Sequence, residues 1–321
     1  MKDLTELGEI VEKEIRNLTY PKSPELLYDP IEYIMGLQGK RMRPMLVLMA
    51  HQLFDENLEK ALAPAIAIEL FHNFTLLHDD IMDNAPLRRG SQTVHEKWNS
   101  NVAILSGDVM MIQAYQLLAK ADLNSLKEIL DVFSKVAVKV CEGQQWDMNF
   151  ETQDNVNLVE YTKMIEYKTA ALLAASLQIG AITAGANKEE QYHLYEFGTN
   201  IGIAFQLKDD LLDVFGSSEA FGKQEGGDIL ANKKTFLYLK ALQLADNLTK
   251  GKLQAYYTTN DVSKLKVKTV KDIFKNLNIQ KHTINMMKAY YTKAIKHLNA
   301  IDSNNKDPLV LFSEKLMERI S

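Results

Sequence analysis

Hydrophobic residues recur every three or four positions along most of this 321-residue chain, which is the spacing of amphipathic α-helices. No alternating run of β-branched residues stands between turn signals, so strands are not expected. Only seven prolines and fifteen glycines interrupt the chain, which also favours helices. The pattern predicts an all-α fold with helices over these ranges: 3–18, 30–37, 43–54, 59–83, 101–120, 123–143, 157–185, 188–216, 234–247, 261–277, 280–302 and 307–320.

Polar segments rich in Gly, Pro and charged residues separate the longest apolar stretches. None of them is a low-complexity linker, and we therefore expect a single all-helical domain over residues 1–321. The segments are PKSP at 21–24, GKRMRP at 39–44, NAPLRRGSQ at 84–92 and GSSEAFGKQEGGD at 216–228.

Charge and cysteine content narrow the function classes. A net charge of −5 gives no sign of a nucleic-acid partner or an anionic membrane surface. The single cysteine, Cys141, cannot form a disulfide within the chain, which suits a reducing compartment and predicts a cytoplasmic protein. Residues 169–186 are uncharged, but their small residues and Gln178 indicate a buried helix rather than a stable membrane insertion.

Asp-Asp occurs twice in the chain, and a third aspartate follows each pair three residues later. Each cluster lies near the C-terminal end of a long apolar helix, where the helix dipole is already negative. Like charges four positions apart share a helix face and destabilise it. The same violation in two places indicates a functional site. The clusters are Asp79, Asp80 and Asp83 in LLHDDIMD, and Asp209, Asp210 and Asp213 in FQLKDDLLD.

Hard divalent cations resolve such a conflict, because Mg²⁺ prefers oxygen ligands and bridges carboxylates to substrate phosphates. Cationic side chains recur in the loops between the apolar helices, and both Arg and Lys bind phosphate oxygens. Together the two features predict a polyanionic ligand held partly by metal and partly by side chains. The cationic groups are Lys40, Arg41 and Arg43, Arg88 and Arg89, Lys168 with Thr169, Lys223, and Lys233 with Lys234.

Two other interpretations of these residues stay open. A single acidic cluster can be the solvated end of a helix, although two clusters in matching contexts argue against it. Glu69–His72 and Glu190–His193 have the E-x-x-H spacing of di-iron helical bundles. Those sites also need a glutamate from each of two further helices, and they give the arginine loops no role.

The motifs resemble those of the trans-isoprenyl diphosphate synthases, the polyprenyl synthetase family, over nearly the whole chain. The resemblance rests on GKRMRP, on the stretch from His72 through LLHDDIMD to RRG, and on GQQWD at 143–147. It continues through YKTA at 167–170, FQLKDDLLD, and GKQEGGDILANKKT at 222–235. It implies a homodimer of an isoprenoid-synthase-type fold, in which a bundle of long helices surrounds a central cavity.

The resemblance also implies a role for each matching residue. Three Mg²⁺ ions would bind together with the substrate, and their ligands would be Asp79, Asp83 and Asp209. Asp213 would be a further metal ligand. Asp213 would share a supporting role with Asp80 and Asp210. The allylic diphosphate or its leaving group would contact Arg88, Lys168, Thr169, Gln206, Lys223 and Lys233. Isopentenyl diphosphate would contact Gly39, Lys40, Arg43, His72 and Arg89. The catalytic set is Asp79, Asp80, Asp83, Arg88, Lys168, Asp209, Asp210 and Lys223. Gln144 and Asp147 match a polar pair near the cavity.

One part of the segment at 222–235 departs from the family pattern. It holds one more residue between its lysines than some relatives do, so that either Lys233 or Lys234 can take the second position. We expect Lys233 to contact the diphosphate.

The implied reaction is a head-to-tail condensation of isopentenyl diphosphate with a C5–C15 allylic diphosphate. The C–O bond of the allylic substrate ionises, the double bond of isopentenyl diphosphate attacks the cation, and the departing pyrophosphate takes up the lost proton. Loops rich in Gly and Lys would close over the site and exclude water.

Phe74 and Thr75 are the residues expected to set the product length. Phe74 precedes Asp79 by five residues, roughly 7 Å along the helix. From its position alone Phe74 is an ordinary core residue. In the family, a large side chain there forms the floor of the tail tunnel, which implies C20 geranylgeranyl diphosphate as the product. Farnesyl diphosphate (C15) or a longer polyprenyl diphosphate is the alternative.

Two further alternatives belong to other function classes. Class I terpene cyclases share the first acidic motif, but residues 209–213 lack the Asn/Ser/Glu pattern of their second metal motif. A non-catalytic partner subunit would have lost one acidic cluster, and both are intact in this chain.

Overall fold

The computed structural model describes residues 2–216, 226–259 and 261–317. Within these ranges the chain is helical apart from one two-stranded hairpin, which confirms the predicted all-α fold. The helices are α1 (Leu4–Arg16), α2 (Glu25–Gly36), α3 (Met42–His51), α4 (Glu59–Met82), α5 (Val94–Lys97), α6 (Ser100–Leu118), α7 (Leu123–Thr152), α8 (Leu158–Ile165), α9 (Ala171–Thr183), α10 (Lys188–Phe215), α11 (Gly227–Leu230), α12 (Phe236–Leu244), α13 (Asn247–Tyr257), α14 (Lys264–Asn276), α15 (Ile279–Asn299) and α16 (Asp307–Met317). The hairpin pairs β1 (Leu87–Arg88) with β2 (Ser91–Gln92). None of the described helices has the length and hydropathy needed to cross a membrane.

Capping side chains explain where several helices begin. The Asp3 carboxylate accepts hydrogen bonds from the amides of Thr5 and Glu6 at 2.8 and 2.9 Å, which starts α1. Asp246 accepts the amide of Thr249 at 2.7 Å and starts α13, a helix that the hydrophobic pattern did not predict. Such caps satisfy backbone donors that the helix itself leaves unpaired.

The chain divides into two compact units. Unit 1 consists of Met1–Ser134, Ala175–Tyr195 and Ile301–Phe312, and unit 2 consists of Lys135–Ala174, Glu196–Ala300 and Ser313–Ser321. The single domain expected over residues 1–321 stays a prediction.

In unit 1, helix α4 packs against α3 and α6. Phe71 of α4 is 1% exposed, and its ring centroid lies 5.0 Å from that of Phe133. Burying such a side chain contributes about 1.5–3 kcal/mol. Gly107 lets α6 approach α4 closely, because a Cβ at that position would lie 2.4 Å from Nε2 of His78.

In unit 2, helix α12 packs against α8, α14 and α15, and Leu237, Phe274 and Met287 are fully buried in the resulting core. Helix α8 continues into α9 through a π-helical segment, Glu166–Ala170. The hydrophobic pattern predicted one uninterrupted helix there. Segments of this kind are rare and occur often at functional sites.

Helix α7 is longer than the hydrophobic pattern predicted. The predicted range ended at Gly143, and a glycine inside a helix costs about 1 kcal/mol relative to alanine. The structure continues the helix to Thr152, with Gly143 buried inside it. Packing in unit 2 therefore overrides the local preference.

Candidate active site

The first acidic cluster stands at the C-terminal end of α4. Asp83 is the C-cap residue, and its amide donates to the carbonyl of Asp79 at 2.8 Å. Asp79 is partly buried and Asp83 is exposed. Because residues four apart share a helix face, the two carboxylates stand side by side where the helix dipole is negative. A bound cation would relieve this repulsion.

Asp80, between these two residues, has a different partner. It is 2% exposed, and both of its oxygens accept from Nε of Arg88 at 2.8 Å. Burial raises the pKa of Asp80, although the hydrogen bond and charge of Arg88 pull it down. Asp80 therefore holds Arg88 in place, which fits the supporting role expected for it.

A tight hairpin after this cluster sets the directions of the two arginines. Arg88 pairs with Ser91 across the strands, and Arg89 and Gly90 form the turn. Their φ angles are 54° and 76°, as a type I′ turn requires. Positive φ is uncommon for a residue other than glycine, and such strain clusters at functional sites.

Arg41 has a structural role in the loop before α3. It is 5% exposed, and its guanidinium donates to Glu69 at 2.8 Å and to Glu12 at 3.0 Å. It also donates to the carbonyls of Met35 and Leu37 at 2.7 and 2.9 Å. Burial by itself would lower the pKa of Arg41. The charges and hydrogen bonds of Glu69 and Glu12 raise it by more, so the pKa lies above its usual value. These bonds fix the loop that carries Lys40 and leads into α3, the helix of Arg43.

Arg43 and His72 form a hydrogen-bonded pair, with Nη1 of Arg43 3.0 Å from Nε2 of His72. Burial lowers the pKa of Arg43 to about 10, and the charge of Arg89 lowers it too. Burial, followed by the charges of Arg43 and Arg89, holds the pKa of His72 well below its usual range. At pH 7 His72 is therefore a neutral acceptor beside two cations.

Gly39 makes room for the guanidinium of Arg89. A Cβ at Gly39 would lie 2.7 Å from Nη1 of Arg89 and 2.9 Å from its Cζ. The structure thus brings together in unit 1 the residues predicted for isopentenyl diphosphate. These are Gly39, Arg43, His72 and Arg89, with exposed Lys40 next in the same loop.

The second acidic cluster lies at the end of α10 in unit 2. Asp210 is 4% exposed and accepts from the hydroxyl of Tyr161, from Nε2 of Gln206 at 3.1 Å, and from the amide of Phe236 at 3.4 Å. Burial, followed by the charge of Asp228, raises the pKa of Asp210 to about 7 against the effect of these donors. The three donors hold the Asp210 side chain in a fixed orientation.

Asp209 and Asp213 flank this residue and are both partly buried. The Asp213 carboxylate accepts the amide of Asp228 at 3.0 Å, so it also holds the start of α11. Lys223, predicted to contact the diphosphate, lies outside the described residues.

A cavity of about 110 Å³ in unit 2 brings together several residues predicted for the allylic diphosphate. Nζ of Lys168 lies 2.5 Å from Oδ2 of Asp147, and the hydroxyl of Thr169 donates to Oε1 of Gln206 at 3.1 Å. The lining includes Asp147, Lys168, Thr169, Gln206, Asp210 and Lys233. The lysine ammonium groups and the Thr169 hydroxyl of this lining are donors suited to an anionic group, and carboxylates line the same cavity.

Lys234 also reaches this cavity, but its ammonium has structural partners. It donates to the carbonyl of Phe150 at 2.7 Å and to that of Gln153, at the end of α7. Burial lowers its pKa. A lysine at this place complements the negative end of the helix dipole. These partners give Lys234 a structural role at the end of α7, and the diphosphate contact expected of Lys233 stays a prediction.

The donor set can be tested against a divalent metal. Within the described ranges, no three or more His, Cys, Asp or Glu side chains lie close enough to hold an ion by themselves. Mg²⁺ usually takes one or two carboxylates, several waters and substrate phosphates rather than a complete protein cage. Paired carboxylates such as Asp79 and Asp83 therefore fit ions that bind together with a diphosphate.

The two glutamates of the E-x-x-H pairs have other functions. Glu69 accepts from Arg41 and from Nδ2 of Asn73 at 3.0 Å. Glu190 accepts the amide of Asn187 at 2.8 Å as part of a helix cap. Neither contact supports the di-iron interpretation.

Phe74 lies in an aromatic cluster of unit 1. It is 8% exposed, and its ring centroid is 5.5 Å from that of Phe71 and 4.7 Å from that of His78. The hydroxyl of Thr75 donates to the carbonyl of His72 at 2.8 Å. Phe74 thus belongs to the helix that ends in the first acidic cluster, and its ring packs against other side chains of that helix.

Tyr161 is a site residue that the sequence did not predict. It lines the cavity, and its hydroxyl donates to Asp210. Burial, followed by the charge of Asp210, raises its pKa well above the usual range, so it stays a donor. Its stretch of sequence is an ordinary amphipathic helix, in which nothing separates Tyr161 from a core residue.

Comparisons with known proteins identify the family of the chain. The profile of a family described as polyprenyl synthetase matches residues 24–277. The chain belongs to the polyprenyl synthetase family. The geranylgeranyl diphosphate synthase of Methanosarcina mazei is 41% identical over 235 residues, which cover 73% of this chain and 72% of the relative. The short chain isoprenyl diphosphate synthase of Methanothermobacter thermautotrophicus is 35% identical over 321 residues, 99% and 98% of the two chains.

A solved crystal structure of a geranylgeranyl pyrophosphate synthase has a TM-score of 0.95 to this chain, at 43% identity and 99% coverage of both. Polyprenyl synthetases are isoprenyl diphosphate synthases, transferases that work head to tail and need a divalent metal ion. The family and the reaction class predicted from the motifs are therefore confirmed.

Proposed function

We propose that this enzyme condenses isopentenyl diphosphate with C5–C15 allylic diphosphates and releases mainly C20 geranylgeranyl diphosphate. The observation that carries the proposal is the cavity of unit 2, where Lys168 and Thr169 stand beside the buried acceptor Asp210. The product assignment is supported by the relatives named geranylgeranyl diphosphate synthase and by the aromatic side chain at Phe74. Farnesyl diphosphate and longer products are the alternatives.

The side chains of the cavity would bind the allylic diphosphate. The Lys168 ammonium and the Thr169 hydroxyl would stabilise charge that develops on the leaving group as the C–O bond breaks. Gln206 is held by Thr169 on one side and by Asp210 on the other, so it can present its remaining N–H in a fixed direction. The full proposed set of contacts is Arg88, Lys168, Thr169, Gln206, Lys223 and Lys233.

The two acidic clusters would supply the metal ligands Asp79, Asp83, Asp209 and Asp213. When bound with the diphosphate, three Mg²⁺ ions would supply the positive charge that the departing pyrophosphate needs. Asp80 and Asp210 would act beside them by orienting Arg88 and Gln206.

In unit 1, Lys40, Arg43 and Arg89 would bind the diphosphate of the second substrate, isopentenyl diphosphate. A neutral His72 supports this role, because it accepts one hydrogen bond from Arg43 without neutralising its charge. The departing pyrophosphate would take the proton that the condensation releases.

We also propose that the enzyme is a homodimer. On helix α6, the residues Ile104, Leu105 and Ile112 are 42%, 58% and 55% exposed. Exposed apolar side chains that share one helix are typical of an interaction surface. The cytoplasmic location and the single domain over residues 1–321 complete the proposal. It includes neither a nucleic-acid partner nor membrane insertion.

The test is incubation of the full chain with Mg²⁺, isopentenyl diphosphate and each C5, C10 or C15 allylic diphosphate in turn. We expect pyrophosphate release and a C20 product by chromatography. Asp79→Ala and Asp209→Ala should each lower the rate about a hundredfold or more, with unchanged circular dichroism. Failure to release pyrophosphate with every allylic substrate would overturn the proposal.

A further inference from the structure

The π-helical segment Glu166–Ala170, which carries Lys168 and Thr169, lies between two glycines of unit 2. A Cβ at Gly143 of α7 would lie 2.3 Å from the backbone nitrogen of Lys168 and 2.7 Å from its Cα. A Cβ at Gly202 of α10 would lie 2.6 Å from both Cα and Cβ of Ala170. These contacts involve the backbone or the first side-chain carbon, which cannot swing aside, so both positions need glycine.

Each glycine is followed by a polar partner for the same segment one helical turn later. Asp147 lies four residues after Gly143, and its carboxylate contacts the ammonium of Lys168. Gln206 lies four residues after Gly202, and its carbonyl accepts from Thr169. Residues four apart share a helix face. Each helix therefore offers the segment a close backbone contact and a side-chain acceptor.

The geometry of the segment explains why two helices are needed. Consecutive residues of a helix point in different directions, and Lys168 and Thr169 accordingly contact different neighbours, Asp147 and Gln206. A π-helical turn is also wider than an α-helical one. The missing side chains of Gly143 and Gly202 accommodate that width on the two sides.

We propose that Gly143 and Gly202 are positioning residues of the condensation. By admitting the π-helical segment between α7 and α10, they set where the Lys168 ammonium and the Thr169 hydroxyl meet the allylic diphosphate. The inference rests on the proposed function and assigns a role to G-x-x-x-D at 143–147 and G-x-x-x-Q at 202–206.

Steady-state kinetics of two variants test the inference. We expect Gly143→Ala and Gly202→Ala to lower kcat/KM for the allylic substrate on the order of 10²-fold, since small displacements of binding groups have effects of this size. KM for isopentenyl diphosphate should stay within about twofold, since its proposed contacts belong to other elements.

Two alanine variants serve as controls. Gly251→Ala, where nothing lies within 4 Å of the new Cβ, should change neither constant. Gly180→Ala places a Cβ 2.1 Å from the carbonyl of Val47 in unit 1. It should lower the melting temperature but leave KM for the allylic substrate unchanged. The inference is wrong if Gly143→Ala and Gly202→Ala behave like Gly180→Ala.

Double-mutant cycles decide whether the glycines act through the two side chains. Gly143→Ala should lower kcat/KM by less than about twofold when added to Lys168→Ala, and likewise Gly202→Ala when added to Thr169→Ala. Fully additive losses would overturn the inference.

Calorimetric titration with an allylic diphosphate and Mg²⁺ tests the positioning role of the two glycines separately from the proposed condensation. Weaker binding by Gly143→Ala and Gly202→Ala than by the parent protein supports the inference even if no condensation is detected. Equal binding contradicts it.

Discussion

Arg41 and Arg43 lie two residues apart at the start of α3, yet their surroundings give them different functions. The guanidinium of Arg41 donates its hydrogen bonds to Glu69, Glu12 and two backbone carbonyls. Arg43 instead meets a neutral His72 and keeps its charge for a ligand. Lys234 likewise has structural partners, the backbone carbonyls of Phe150 and Gln153 at the end of helix α7. The two arginines therefore differ in their partners although they are the same residue type.

Gly39→Ala should weaken binding of isopentenyl diphosphate. The new Cβ would collide with the guanidinium of Arg89, which would move because it is the flexible end of a side chain. We expect KM for isopentenyl diphosphate to rise about tenfold, with KM for the allylic substrate and the melting temperature nearly unchanged. Gly36→Ala is the matched control, since its Cβ would contact nothing within 4 Å. Equal constants for the two variants would refute this role of Gly39.

His51 should make folding stability depend on pH. Its buried ring bonds the Thr183 hydroxyl at 2.8 Å and the Asn57 carbonyl at 2.9 Å, and burial lowers its pKa. Because the folded pKa lies below the unfolded value of about 6.5, the unfolded state takes up the proton first as pH falls. The free energy of unfolding should therefore decrease below about pH 6.5, by at most about 1.4 kcal/mol per pH unit for this residue.

Urea unfolding between pH 8 and pH 5.5 measures this effect. His51→Gln should show a shallower slope than the parent protein. Some slope should persist, because the lowered pKa of His72 acts in the same direction. An unchanged slope in His51→Gln would assign the pH dependence to other groups.

At the scale of elements, helix α4 joins the first acidic cluster to the aromatic side chains one and two turns before it. Phe74→Ala should shift the product from C20 to longer chains by about one isoprene unit, since it removes a ring roughly 7 Å from Asp79 along the helix. Chromatographic sizing of the products measures the shift.

Phe71→Ala is the control for this change. It removes a more deeply buried ring of the same cluster, 1% exposed against 8% for Phe74. It should destabilise the fold by about 3–5 kcal/mol and leave the product length unchanged. Longer products from Phe71→Ala alone would place the end of the tail tunnel elsewhere.

The hydrophobic period predicted most helices because it records which faces are buried. It gave the end of α4 within one residue, since the apolar run stops where the aspartates begin. It predicted the break at 84–92 but not the hairpin within it, whose turn at Arg89–Gly90 has two positive φ angles. It also missed the π-helical segment, whose close contacts with Gly143 and Gly202 join residues distant in sequence.

At the scale of the molecule, each unit carries an acidic helix end together with cationic side chains. The motifs predicted these groups because their charge violates the local rules for helices. Tyr161 violates no such rule, and its contact with Asp210 spans 49 residues of sequence. Site residues that only complete a buried hydrogen-bond network therefore escape prediction from a single sequence.

The apolar surface of helix α6 makes the oligomeric state testable. Leu105→Glu places a charge among side chains that the proposed dimer would bury, and an unpaired charge there costs several kcal/mol. We expect sedimentation equilibrium to show monomers for this variant and dimers for the parent protein. Leu248→Glu is the control, because Leu248 is 85% exposed on α13 and should tolerate the change. If Leu105→Glu stays dimeric, the two copies meet through another surface, and the exposed residues of α6 need a different partner.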